Sequence, residues 1–162
     1  MRRRQRWIWS LAALAVVALP GCNDGTGTQL EVAFQATLTG AAERPDPVTT
    51  TATGTAQVVI DDAAQTLTFS ITVTGLLTPT LAHIHVGSTS EAGPIAVNLL
   101  LTPPGVGSFT GVLASGTRVS TDVVGGETFT TLAAKIRSGN AYINVHTAAN
   151  ASGELRGQLV PE

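Results

Sequence analysis

Apolar and polar residues alternate one by one through most of this chain, and that period of two decides the fold class. Leu30 to Leu38 puts Leu30, Val32, Phe34, Ala36 and Leu38 on one face, the mark of a half-buried strand. Ala56, Val58 and Ile60 alternate within Thr55 to Ile60, and Leu67, Phe69, Ile71 and Val73 within Thr66 to Val73. The polar stretch Asp61 to Gln65 turns the chain between them, which predicts a hairpin. Leu81 to Val86, Ser108 to Ala114, Asn140 to Thr147 and Glu154 to Val160 read as further strands. Ile95 to Leu101 is almost continuously apolar, as a strand buried on both faces would be. Gly40 to Thr53, with Pro45 and Pro47, reads as a long loop. One segment keeps a different period. Phe129, Leu132, Ala133 and Ile136 recur at helical spacing and Gly139 stands where a helix ends, so Thr128 to Ser138 is expected to be a short helix. Seven or eight short strands and one helix predict an all-β, antiparallel Greek-key sandwich or barrel over residues 30–160.

The N-terminus reads as an address. Arg2-Arg3-Arg4-Gln5-Arg6 precedes an apolar run from Trp7 to Leu19, and Leu19-Pro20-Gly21-Cys22 follows. A basic start, a short apolar middle and a small residue before a cut site describe an export signal. The Cys directly after that site resembles a bacterial lipobox. Residues 1–21 are therefore expected to be a lipoprotein signal peptide, and residues 22–29 an acylated Cys22 with a polar tether. Acyl chains would hold the domain at a membrane of the bacterial envelope, in the periplasm or at the cell surface. Removing residues 1–21 leaves five basic residues against eleven acidic ones, a net charge near −6. That charge excludes a nucleic-acid partner. The single Cys excludes both a disulfide framework and a Cys-based zinc site.

Chemistry concentrates in three His. His83 and His85 stand two apart in Leu81-Ala82-His83-Ile84-His85-Val86. On a strand they share a face, with Cα atoms about 6.5–7 Å apart. His146 follows Tyr142 and Asn144 on the face of its own strand opposite Ile143 and Val145. Three imidazoles suit copper, zinc, iron or nickel and leave a coordination position open. The other reading is structural, with each ring bonded to loop carbonyls. Glu91 and Glu154 lie near these motifs in sequence, either as further ligands or as solvated acids. Arg156 has two readings as well, an anion guide or a salt-bridge partner. There is no phosphate loop, nucleophile elbow or His-Glu-x-x-His motif, so no catalytic role is assigned.

Several segments together resemble the CHRD domain family, first recognised in chordin and common in bacterial exported proteins. They are Leu38-Thr39-Gly40 with Glu43-Arg44-Pro45-Asp46-Pro47-Val48, then Thr53-Gly54-Thr55-Ala56, Ala82-His83-Ile84-His85, Gly93-Pro94-Ile95, Gly139 to Thr147, and Gly153 to Leu159. The resemblance spans about Val32 to Leu159 and implies a β-rich domain without a settled activity. A more distant similarity is to Cu/Zn superoxide dismutase. That family also runs His-x-His, then Val-His, then an Asn-Ala-x-Gly segment leading to Arg. The likeness implies copper, with zinc second, at His83, His85 and His146, and Arg156 as guide for a small anion. The chain lacks that family's fourth copper His, its zinc cluster and its disulfide. A metal-binding protein for metal handling or redox chemistry is the leading expectation. The alternative is a non-enzymatic protein- or glycan-binding module with structural His.

Overall fold

A computed structural model describes residues 31–100 and 102–162. The expected signal, Cys22, the tether, Leu30 and Leu101 lie outside those residues. The strands are β1 (Val32–Thr39), β2 (Thr53–Asp61), β3 (Thr66–Leu77), β4 (Pro79–Val86), β5 (Ile95–Leu100), β6 (Ser108–Val119), β7 (Ala141–Thr147), β8 (Leu155–Gln158) and β9 (Val160–Pro161). The helix α1 (Phe129–Arg137) sits between β6 and β7.

All pairings are antiparallel, in the order β5-β4-β7-β8-β1-β2-β3-β6, with the short β9 also on β1. Three long-range neighbours, β3 with β6, β4 with β7 and β1 with β8, break the simple hairpin order, as Greek-key connections do. The sheet curls until its edges meet. Arg118 of β6 donates from Nε to the Asn98 carbonyl (2.8 Å) and from Nη2 to the Leu99 carbonyl (2.9 Å) on β5. The Val124 N–H donates to the Ala96 carbonyl (2.8 Å), and Val97 bridges to Val123. These bonds satisfy an edge that would otherwise expose its backbone. The result is a nearly closed, barrel-like sheet, as the alternation predicts.

The inward set is the one read from the sequence. Phe34, Ala36 and Leu38 of β1, Ala56, Val58 and Ile60 of β2, and Leu67, Phe69, Ile71 and Val73 of β3 are all buried. Asp61 to Gln65 makes the expected turn, and β5 is buried on both faces except at exposed Asn98 and half-buried Ile95. The helix falls where its spacing placed it. Thr128 caps it by accepting from the Thr131 N–H, and Phe129, Leu132, Ala133 and Ile136 face the core. Gly139 follows in the left-handed conformation (φ 72°) that a C-terminal glycine supplies.

Three boundaries differ most from expectation. β3 runs on to Leu77, and β6 runs to Val119 instead of stopping at Ala114. Ser115, Gly116 and Thr117 carry no apolar alternation, but β6 keeps its pairing with β3 through Arg118 and Val119. The last expected strand splits at Leu159, whose N–H bonds the Ala141 carbonyl, before Val160 and Pro161 pair with β1.

Candidate metal centre

The register of β4, β7 and β8 assembles the site. His83 lies opposite Asn144 and Asn144 opposite Arg156; one step along, His85 lies opposite Tyr142 and Tyr142 opposite Gln158. Residues directly opposite on antiparallel strands share a face. His83, His85, Tyr142, Asn144, His146, Arg156 and Gln158 therefore form one polar band. Ala82, Ile84, Ile143, Val145 and Leu155 point the other way, into the core. The loop after β1 brings Glu43 to the band, the loop after β4 brings Gly93, and the loop after β7 brings Ala151 and Gly153.

The three His meet. One ligand nitrogen from each lies within 4.8 Å of the others, so the trio could hold a metal ion. The side chains are 4%, 8% and 6% exposed for His83, His85 and His146. Nδ1 of His85 faces the Gly93 carbonyl and Nδ1 of His146 faces the Ala151 carbonyl, both at 2.9 Å. A carbonyl can only accept, so both rings carry their proton on Nδ1 and present a bare Nε2. Nε2 of His146 accepts from Nδ1 of His83 at 3.0 Å. Nε2 of His85 is buried with no partner. A backbone carbonyl behind an imidazole is the support that metal-ligating His use to fix tautomer and orientation.

Electrostatics keep the rings neutral. Burial, and then the neighbouring His146 and His85, lower the His83 pKa from 6.5 to about 4. Burial also lowers His85 and His146, against the pull of their carbonyl partners. Neutral imidazole is the form that binds a metal.

A second layer packs around the rings. Tyr142 stacks on His85 with centroids 5.0 Å apart and planes at 14°. Its hydroxyl accepts from the Gly93 N–H at 2.9 Å. Gly93 thus holds both His85 and Tyr142. It must be glycine, because a Cβ there would meet the Val86 carbonyl oxygen at 1.7 Å. The Arg156 guanidinium lies over the Tyr142 ring at 3.5 Å and donates from Nη2 to the Ser88 carbonyl (2.6 Å). Asn144 donates from Nδ2 to Glu43 Oε2 (3.2 Å). Glu43 is itself 3% exposed, and burial pushes its pKa up to about 7, against the opposing Arg156 charge.

The remaining sequence candidates land elsewhere. Glu154 is buried and accepts from Thr50 (2.8 Å), Thr147 (2.6 Å) and Asn150 (2.9 Å). Burial works to raise its pKa, but these three bonds outweigh it and lower the value. Glu154 is a clamp between two loops, neither a solvated acid nor one of the clustered ligands. Glu91 is exposed and accepts from the Ser88 N–H. Arg156 forms no ion pair among the described residues.

Five buried side-chain polar atoms among the described residues have no hydrogen-bond partner: Glu43 Oε1, His85 Nε2, Asn144 Oδ1, Arg156 Nη1 and Gln158 Oε1. Four belong to this band, and the fifth, Glu43 Oε1, belongs to the loop packed against it. Native interiors satisfy nearly all such atoms, so a concentration of unmet capacity marks where solvent or ligand atoms enter.

Comparison with known sequences places the fold in a family. The model of the CHRD domain matches residues 34–159. The chain belongs to the CHRD domain family. No curated protein and no solved structure matches it. The CHRD match runs from β1 to the end of β8 and includes the three His, Tyr142, Asn144 and Arg156. Sequence reasoning placed Tyr142 and Asn144 on the face of His146 but missed Glu43 and Gly93 as neighbours of the site. Glu43 and Gly93 stand within the motifs that carry the CHRD resemblance, and that was the available signal.

Proposed function

We propose that this CHRD domain binds one transition-metal ion, copper first and zinc second, through His83, His85 and His146. The reading rests on one observation above the rest: three buried, neutral imidazoles converge within 4.8 Å. The donor set fits the group. His85 and His146 offer Nε2 with Nδ1 tied to a carbonyl, and the buried Nε2 of His85 has no other partner. His83 offers Nδ1 once it gives up its bond to His146, which requires its proton to move to Nε2. A set of three imidazoles without thiolate suits copper and zinc. When bound, such an ion supplies a Lewis acid or, for copper, a one-electron couple with an open position. The protein's part is to hold the rings neutral and oriented and to shield them from bulk water. With acyl chains on Cys22, the domain would present this centre at the bacterial envelope, for metal handling or redox chemistry.

One contact favours a second reading. The His83–His146 bond at 3.0 Å is a complete interaction without any ion. In that reading the His are structural, and the loops of a non-enzymatic module recognise a protein or glycan. The test is metal content by mass spectrometry after exposure of the purified protein to copper and zinc and desalting. Retention of about one ion per chain supports the metal reading. A folded protein that retains none supports the module.

A further inference from the structure

A second site lies beside the β1–β8 pairing, at the end of the polar band formed by Arg156 and Gln158. A cavity of about 140 Å³ opens there, lined by Thr37, Arg44, Thr89, Arg156 and Gln158 among others, and by none of the His. The chain is poor in positive charge, yet two of its guanidinium groups line this one cavity. Neither pairs with a carboxylate among the described residues, where the ion pairs are Lys135–Glu127 and Arg137–Asp62. Arg156 is 2% exposed and its Nη1 has no hydrogen-bond partner. Arg44 donates from Nη1 to the Ala41 and Glu43 carbonyls, at 3.2 and 2.6 Å. Two like charges share one wall with no compensating ion pair. The carboxylates whose charge acts on Arg156 are Glu43 and Glu91.

We propose that this cavity binds a phosphate-class oxyanion between Arg44 and Arg156, with the hydroxyls of Thr37 and Thr89 as further donors. Guanidinium groups match phosphate oxygens in geometry and charge. A tetrahedral oxyanion uses donors from several directions, which two arginines and two hydroxyls on separate elements provide. A carboxylate has only one plane of acceptors. The rim can yield, since Thr89 is exposed and Arg44 only half-buried. The source of the phosphate is either a free ion or monoester, or the diester headgroup of a membrane lipid. The site is independent of the metal reading.

The test is calorimetric titration of the purified full chain, washed with chelator so that no bound metal can take the anion. Inorganic phosphate is the probe, and dimethyl phosphate is the diester probe. Arg44→Gln is the main variant, and Arg137→Gln, outside the cavity, is the control. One phosphate per chain is expected, weakened about ten- to a hundredfold in Arg44→Gln with unchanged circular dichroism. Tighter binding of dimethyl phosphate assigns a lipid headgroup, and tighter binding of inorganic phosphate assigns a free ion; both uphold the site. Should Arg44→Gln fail to fold, the exposed Thr89→Val carries the same test with a loss of a few-fold. No binding of either probe at millimolar concentration overturns the proposal. So does binding that a folded Arg44→Gln, or Thr89→Val in its place, leaves unchanged.

Discussion

Replacing Gly93 with Ala tests how the centre is supported, and the structure fixes the size of the effect. The added Cβ would lie 1.7 Å from the Val86 carbonyl oxygen and 2.8 Å from its carbon. Ordinary contact begins at 3.4 Å, so the two backbone segments must part by about 1.7 Å. Three hydrogen bonds cross that gap or depend on it. They are Val86 N–H to the Pro94 carbonyl (3.0 Å), His85 Nδ1 to the Gly93 carbonyl (2.9 Å), and the Gly93 N–H to the Tyr142 hydroxyl (2.9 Å). At about 1 kcal/mol each, with buried groups left unpaired, Gly93→Ala should cost about 2–4 kcal/mol. Urea unfolding followed by circular dichroism reads that loss. Nitrogen NMR of the imidazoles reads the cause, because His85 should lose the fixed Nδ1–H tautomer it holds in the unaltered chain. A variant within about 0.5 kcal/mol of the parent, with His85 still in that tautomer, would refute the reasoning.

Other expectations follow from the same contacts. The three His have folded pKa values below 6.5, so the unfolded chain takes up protons first and stability falls as pH drops from 6.5 toward about 4, the folded value of His83. Melting temperatures across that window should show the slope, and a triple His→Ala variant should flatten it. Glu43 has the opposite sign. Its folded pKa of about 7 against 4.5 means its contribution is present at low pH and lost as pH rises through 7. Glu43→Gln should therefore stabilise by about 1–3 kcal/mol above pH 7, with the gain fading below pH 5; equal gain at both pH values would contradict this. Arg118→Met keeps a long stem near Phe69 and removes the two donors to β5, so amide exchange at residues 96–100 should quicken about tenfold. Unchanged exchange would show that the barrel seam holds without Arg118.

Most of the fold was legible because alternation is a local signal. Leu67, Phe69, Ile71 and Val73 point inward regardless of what covers them, and the period of the helix from Phe129 to Ile136 announces itself the same way. The ends were harder to read. Ser115 to Val119 joins β6 through its partner strand β3, and nothing in its own composition says so. The His set was legible for a related reason. Spacing of two placed His83 and His85 on one face, and the alternation around Val145 placed His146 away from the core. What brings His146 to them is the β4–β7 pairing, a contact between segments some sixty residues apart that no local pattern encodes. The same holds for Glu43, which reaches Asn144 across the fold from an irregular loop. Glu154 shows the reverse error. It looked like a free acid because its three partners, Thr50, Thr147 and Asn150, are ordinary polar residues until the loops close on them.

The most direct measurement is the metal content of the purified protein after equal exposure to copper and zinc and then desalting. The triple His83/His85/His146→Ala variant runs beside it, with circular dichroism to establish folding. The account predicts about one ion per parent chain, copper in excess of zinc, and none in a folded variant. A folded parent chain that retains no metal, or a folded variant that retains as much as the parent, would contradict it.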